Sequence, residues 1–202
     1  MREIRLMELH LRNFKGIKQF SLIVNGRNAQ VYGDNATGKT TLFDCFVWLL
    51  FDKDSQNQKD FAIKTLDKNG QVLHNLDHEV KGKFLVDGKT LTLKKVYREK
   101  WTKRRGALQE ELTGHVTNYF IDDVPVKKKE YDSFISDLID EEVFKLLTSP
   151  VYFNEHLKWQ DRRKILLEVC GDITDEDVIA SDKNLAELLD VLNGRSIEDH
   201  RK

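Results

Sequence analysis

Val31-Tyr32-Gly33-Asp34-Asn35-Ala36-Thr37-Gly38-Lys39-Thr40-Thr41-Leu42-Phe43-Asp44-Cys45 is the stretch that decides how this chain folds. Residues 33 to 40 fit the pattern G-x-x-x-x-G-K-[ST]. The apolar run Ala29 to Tyr32 reads as a short strand, and Lys39 to Phe51 reads as a helix. That helix is apolar on nearly every face, so it must be buried on most sides. Strand, glycine loop and helix in this order build a cradle for phosphate. Gly33 permits a tight exit from the strand, and Gly38 lets backbone approach an anion without a Cβ clash. Successive N–H groups of Asp34, Asn35, Ala36, Thr37 and the helix N-terminus form a concave donor array with positive dipole character. Lys39 brings a point charge to the β- and γ-phosphates. Thr40 offers a hydroxyl to Mg²⁺, and Thr41 serves the α-phosphate side. The expected ligand is therefore Mg-ATP.

Outward from this loop the pattern alternates between strand and turn. Residues 3 to 12 read as a strand, Arg12 to Gly16 as a turn, Phe20 to Val24 as a second strand and Asn25 to Asn28 as another turn. Residues 52 to 78 are polar and irregular. Val80 to Val86 and Thr90 to Tyr97 flank Asp87-Gly88, a strong hairpin signal. Val116 to Ile121 and Val124 to Val126 suggest a further pair. From Lys129 the pattern turns helical, over Tyr131 to Leu138, Glu142 to Leu147 (ended by Pro150) and Asp161 to Val169 (stopped by Gly171). Thr174 with Asp177 and Ser196 with Asp199 resemble helix starts. The second start leaves room for about one turn before Lys202, which is read as a truncated chain. The expected fold class is α/β: a P-loop lobe over residues 1–160, with a β-rich subdomain at 60–127 set to one side and a helical exit segment at 161–202.

Composition narrows the setting. The 202 residues carry 33 Lys and Arg against 34 Asp and Glu, a net charge of 33 − 34 = −1. No global basic field exists for nucleic acid, so any such contact must be local. The two cysteines, Cys45 and Cys170, lie in apolar helical segments and read as buried free thiols of a reducing compartment. No signal peptide is visible. The longest apolar run, Leu42 to Phe51, is interrupted by Asp44 and is about half the length that spans a bilayer. The expected location is the cytoplasm.

The segments "LHLRNFKGIKQFSLIV" and "VYGDNATGKTTLFDCFVWLLFDKDS" resemble the N-terminal lobe of SMC-like DNA-repair AAA-family ATPases of the SbcC type, in phages and bacteria. "SPVYFNEHLKWQDRRKILLEVCGD" is similar to the segment where such proteins enter a coiled coil. The resemblance covers both ends of the chain; residues 60 to 145 match only in general β-rich character. It implies a homodimer closed around ATP, a nuclease partner, and a role in double-strand break repair, recombination or phage DNA metabolism. It nominates Arg12 and Asn13 against the nucleotide base, and Asn154 as the residue that senses magnesium and the attacking water. The family loop commonly has glycine where Ala36 stands, a replacement tolerated if φ there is negative. The family's four apolar residues followed by Asp-Glu, and its Leu-Ser-Gly-Gly signature, are absent: neither Leu138-Ile139-Asp140-Glu141 nor Leu192-Asn193-Gly194-Arg195 qualifies. In the family both come from a C-terminal lobe, so hydrolysis is expected to need that missing lobe. Two alternatives remain: the ATPase part of an overcoming-lysogenization-type nuclease, and an SMC-like protein that tethers DNA. A long heptad region with a Cys-x-x-Cys hook, a cluster of acidic metal ligands or a globular hinge downstream would separate the three.

Residues 94 to 105, "KKVYREKWTKRR", hold seven basic residues and one acidic residue, a net +6. Lys94, Lys95, Arg98, Lys100, Lys103, Arg104 and Arg105 could contact DNA phosphates while Tyr97 and Trp101 stack. A solvated hairpin with its aromatics packed on the sheet is the competing reading. Lys127-Lys128-Lys129 is a weaker patch of the same kind. His74 and His78 have the i, i+4 spacing of metal ligands but lie in a loop-like stretch without partners. Trp159, Arg162 and Arg163 read as packing and solvating the exit helix.

Overall fold

The computed structural model describes residues 3–103, 105–106, 109–149, 151–171, 175–185 and 187–192. It divides into two compact units, Met1–Glu141 and Glu142–Lys202.

The first unit is one antiparallel sheet with a helix buried on it. Its strands are β1 (Ile4–Phe14), β2 (Ile17–Ile23), β3 (His78–Val86), β4 (Lys89–Thr102), β5 (Glu111–Ile121) and β6 (Val124–Val126), in the order β2-β1-β3-β4-β5-β6. Helix α1 (Lys39–Phe51) follows the P-loop, and α2 (Lys128–Leu138) follows β6. Alternation along the strands sends Leu9, Leu11, Val80, Phe84 and Leu93 into the core with Trp48 and Leu49 of α1. A Cβ on Gly82 would lie 2.7 Å from Leu49 Cδ2 and 2.8 Å from Phe84 Cε2, so the missing side chain is what lets α1 approach β3 this closely.

Two sequence expectations change here. The β-rich stretch is no subdomain set aside, because β3 pairs directly with β1 (Leu11 opposite Val80) and all six strands form one sheet. Ala29 to Tyr32 is not a strand: it pairs with no neighbour, Val31 is 43% exposed and Tyr32 is 82% exposed. Apolar composition marks a segment that can pair, but a strand exists only through a partner's hydrogen bonds.

The end of α1 is tied to the sheet by a buried ion pair. Asp52 caps the helix in a left-handed conformation (φ 57°) and accepts hydrogen bonds from Lys95 Nζ at 2.6 Å, from Tyr119 Oη at 3.1 Å and from Lys128. Lys95 is fully buried; its ammonium also donates to Trp48 O at 2.8 Å and lies 4.9 Å from the Tyr131 ring centroid. Burial pushes the Lys95 ammonium down to about 8, against the upward pull of Asp52. Burial likewise opposes the charged form of Asp52, but Lys95 and Lys128 hold its carboxyl below the usual carboxylate range.

The second unit is helical, with α3 (Glu141–Thr148), a π-helical turn (Tyr152–His156), α4 (Trp159–Cys170), α5 (Asp175–Ser181), a 3-10 turn (Lys183–Leu185) and α6 (Glu187–Leu192). Gly171 ends α4 at φ 83°, as its sequence suggests. Cys45 is buried as expected, whereas Cys170 is exposed, because α4 buries none of its residues. Pro150, Thr174, Ser196, Asp199 and Asn193-Gly194-Arg195 lie outside the described residues.

The buried pair gives a pH signature. In the unfolded chain a lysine titrates near 10.4. Between about pH 8 and that value the unfolded state binds more protons at Lys95 than the folded state does, so this residue's contribution to stability rises with pH. Urea unfolding of wild type and Lys95→Met should show a difference that is flat below about pH 7 and moves in favour of the wild type between about pH 8 and 10. Removing the carboxylate instead, by Asp52→Ala, should cost about 3–5 kcal/mol at neutral pH because it leaves a buried charge without its partner.

Candidate nucleotide site

The P-loop and the β1–β2 turn face each other across a cavity of about 530 Å³ lined by Lys15, Gly16, Ile17 and residues 35–41. A smaller cavity of about 160 Å³ adjoins it, and Tyr32 and Gly33 belong to its lining. Gly38 is the N-cap of α1 at φ 96°, a value that favours glycine, so the free N–H groups of the first helical turn open toward the loop. A Cβ on Gly33 would come within 2.7 Å of Thr37 Oγ1, so the cradle requires glycine there as well. Thr37 closes the loop by donating to Asp34 O at 2.8 Å. Lys39 Nζ donates to Gly33 O and Asp34 O, each at 2.6 Å. The lysine thus folds over the mouth of the loop, where a phosphate would draw it away from two carbonyls. Thr40 and Thr41 line the same cavity at the start of α1.

Ala36 departs from the expectation of a negative φ: it stands at φ 63°, in the left-handed region. The loop geometry demands the conformation that glycine adopts freely, and here a Cβ is carried through it at a cost of about 1–2 kcal/mol.

Arg12 and Asn13 do not line the cavity. Strand β1 runs on to Phe14, which moves the turn to Lys15-Gly16. Arg12 points along the sheet to Glu79 at 3.4 Å. Asn13 Nδ2 donates to Asp77 O at 3.0 Å, while its carbonyl meets Thr65 Oγ1 at 3.1 Å and His78 Nδ1 at 2.5 Å. The wall these two residues were expected to form belongs to Lys15, Gly16 and Ile17. Sequence reasoning passed over them because a turn identifies itself only to within a few residues, and pairing with β2 and β3 decided where β1 ends. Asp44 was legible as the one charge in an apolar helix; its partner, Lys15, was not. Asn154 sits in the π-helical turn of the second unit, exposed, with its carbonyl accepting from Arg162 Nη1 at 3.1 Å.

The basic segment is less available than its sequence suggests. Lys95 is withdrawn into the core, Lys94 pairs with Asp123 at 3.3 Å and Arg98 pairs with Asp77 at 3.1 Å. Every second residue of a strand faces inward, so a run of cations cannot all meet solvent. Glu99, the only acidic residue of the run, accepts from Lys64 Nζ at 2.6 Å, His74 Nδ1 at 2.8 Å, Asn75 N at 3.1 Å and Trp101 Nε1 at 3.1 Å. Burial alone would raise its carboxyl, but these donors hold it down at about 2. Tyr97 stacks on His115 with centroids 5.1 Å apart. Lys100, Lys103 and Arg105 remain exposed, and Arg104 lies outside the described residues. His74 and His78 have gone to different partners, Glu99 and Asn13, and among the described residues no cluster of three or more His, Cys, Asp or Glu could hold a metal ion. No helix among the described residues is long and apolar enough to cross a membrane.

The strain at residue 36 can be read out directly. Ala36→Gly should leave stability unchanged or raise it by up to about 1 kcal/mol, although the same substitution at an ordinary φ lowers it. Ala36→Val should lower it by about 1–2 kcal/mol. Urea denaturation of the three proteins checks both signs.

A family model described as an AAA domain matches residues 8–199. Among curated proteins, the DNA replication and repair protein RecF of Azobacteroides pseudotrichonymphae genomovar. CFP2 is 24% identical over 172 residues, which cover 82% of this chain and 46% of that protein. The chain spans about half the length of the curated relative it matches. Among solved structures, the Smc head domain with a coiled coil and joint derived from Pyrococcus yayanosii aligns with a TM-score of 0.57 at 15% identity, over 95% of this chain and 36% of that one. A structure from work on ATP-driven dimerization and DNA-stimulated activation of SMC ATPases aligns with a TM-score of 0.56 at 13% identity, over 82% of this chain and 99% of that one. The chain belongs to the AAA domain family, with the α/β fold of an SMC-like ATPase head built around the loop at residues 33–40.

Proposed function

We propose that this chain binds Mg-ATP in the cavity between the P-loop and the β1–β2 turn, and that it supplies the N-terminal half of an ATPase site. The observation that carries this reading is the cradle itself: Gly38 at φ 96° on the N-terminus of α1, with Lys39 folded over the loop mouth. A triphosphate offers stronger acceptors than the two carbonyls Lys39 now holds, so its charge would move to the β- and γ-phosphates. The Thr40 hydroxyl would hold Mg²⁺, which carries the nucleotide's charge and draws its remaining ligands from phosphate oxygens and water. Hydrolysis needs carboxylates that orient water and groups that stabilise the transferring phosphoryl. These are expected from a C-terminal lobe, met in a homodimer closed by ATP, beyond a coiled coil that the helical segment leads into. Asn154 is the candidate sensor of magnesium and water at that junction. The biological setting supported by the resemblance and by the RecF relative is repair or recombination of DNA, with double-strand break processing alongside a nuclease, or phage DNA metabolism, as the specific forms.

Calorimetry with Mg-ATP should show saturable binding that Lys39→Ala removes. Phosphate release by the 202-residue chain should stay near background, and a C-terminal lobe added as a separate chain should restore Lys39-dependent turnover. Equal affinity of wild type and Lys39→Ala would overturn the binding reading. Lys39-dependent turnover by the chain alone would place a catalytic carboxylate within it.

Contact with DNA, if this lobe makes it, rests on the exposed Lys100, Lys103 and Arg105. Replacing all three by Glu should reduce the slope of log affinity against log salt by about 2–3. An unchanged slope in a filter-binding titration would return this hairpin end to a solvated surface.

A further inference from the structure

Asp44 is the one charged side chain inside the P-loop helix, and its side chain is only 4% exposed. An ionised carboxylate so far from water needs partners that bind it fully. It has two: Lys15 Nζ at 2.6 Å on Oδ2, and the Ser55 N–H at 3.0 Å on Oδ1. Lys15 comes from the β1–β2 turn, the opposite wall of the nucleotide cavity. The turn is anchored a second time by the Lys15 N–H, which donates to Ile63 O at 2.9 Å. Lys15 itself stands at φ 47°, a left-handed conformation that a lysine adopts only when its surroundings impose it. Two residues on, Ile17 Cδ1 lies 2.9 Å from where a Cβ on Gly38 would be, so the turn packs against the phosphate-binding glycine itself.

We propose that Lys15 and Asp44 are a positioning pair that holds the Lys15–Ile17 turn as a second wall of the cavity, placed to contact the sugar and base of the nucleotide rather than its phosphates. The inference rests on the reading of this cavity as a nucleotide site. The phosphate end is served by the loop, Lys39 and the start of α1. Lys15 is not free to join them, since its charge is consumed by Asp44 and its ammonium also lies 5.3 Å from the Phe61 ring centroid. What the turn presents to the cavity is the Gly16 backbone and the apolar Ile17, surfaces suited to a ribose and a purine and not to a phosphate. The ion pair links this wall to the helix that carries the phosphate cradle, so the two walls keep their separation.

The experiment compares two ligands in the presence of Mg²⁺. ATP uses both walls; inorganic tripolyphosphate uses only the cradle. Calorimetric titration of wild type, Lys15→Met, Asp44→Asn, the double variant and Ile17→Ala should show ATP affinity falling about tenfold in each single variant, with tripolyphosphate affinity changed less than about twofold. The double variant should lose no more than either single one, because the partners act as a unit. Lys15→Arg, which keeps the charge, should restore most of the ATP affinity. If Asp44→Asn fails to fold, as thermal melting would reveal, Ile17→Ala carries the test with the ion pair intact. Equal losses for both ligands would make Lys15 a phosphate ligand or the pair merely structural, and would overturn the proposal. So would a wild type that binds tripolyphosphate as tightly as ATP, a result that leaves the phosphate cradle standing. A wild type that binds neither ligand would remove the nucleotide reading itself.

Discussion

The seating of α1 on the sheet is the constraint from which the site follows. A helix can present its N-terminal N–H groups to an anion only if its axis is held, and α1 is held at three points. Trp48 and Leu49 bury against Leu9, Leu11 and Val80, each large apolar side chain contributing about 1.5–3 kcal/mol. Gly82 removes the side chain that would keep the helix away from β3. Asp52, at the C-terminal end, is fastened by Lys95, Lys128 and Tyr119. The loop at residues 33–40 is then the free end of a fixed lever.

Charge inside this unit follows one rule: a buried ion is present only where it joins two elements. Lys95 and Asp52 join β4 to the end of α1, Lys15 and Asp44 join the β1–β2 turn to its middle, and Glu99 gathers Lys64, His74 and Trp101 around the far part of β4. Such pairs are weak sources of net stability, since desolvation offsets most of their attraction. Their contribution is to fix which surface meets which. That is what a site formed between a loop and a turn requires.

Strain accompanies the same site. Lys15, Ala36 and Asp52 all adopt positive φ without being glycine, and they occupy the turn, the loop and the far cap of the one helix that links them. Lys15 and Asp52 have side chains that bind locally and so compensate the backbone cost. Ala36 has only a methyl group, and its strain is carried by the loop around it.

Much of this was legible in the residues themselves. Gly33, Gly38, Lys39 and Thr40 announce a phosphate cradle because the chemistry of a close backbone approach leaves few alternatives, and the apolar run after them fixes a buried helix to within a residue. Asp87-Gly88 between alternating runs gave the β3–β4 hairpin for the same local reason. What depends on partners was not legible. Ala29 to Tyr32 has the composition of a strand but no neighbour to pair with, and the β-rich middle is one sheet with the first two strands because β3 chose β1. Lys95 looked like one cation of a surface patch, and only the register of β4 against α1 decided that it points inward to Asp52. Arg12 and Asn13 gave way to Lys15, Gly16 and Ile17 because cross-strand hydrogen bonds, not local propensity, set where β1 stops. Sequence by itself determined the groups able to hold a phosphate, since those are conditions on single residues and their immediate neighbours. Tertiary structure alone decided what stands opposite them, because that is a condition on residues far apart in the chain, met only when burial and pairing bring them together.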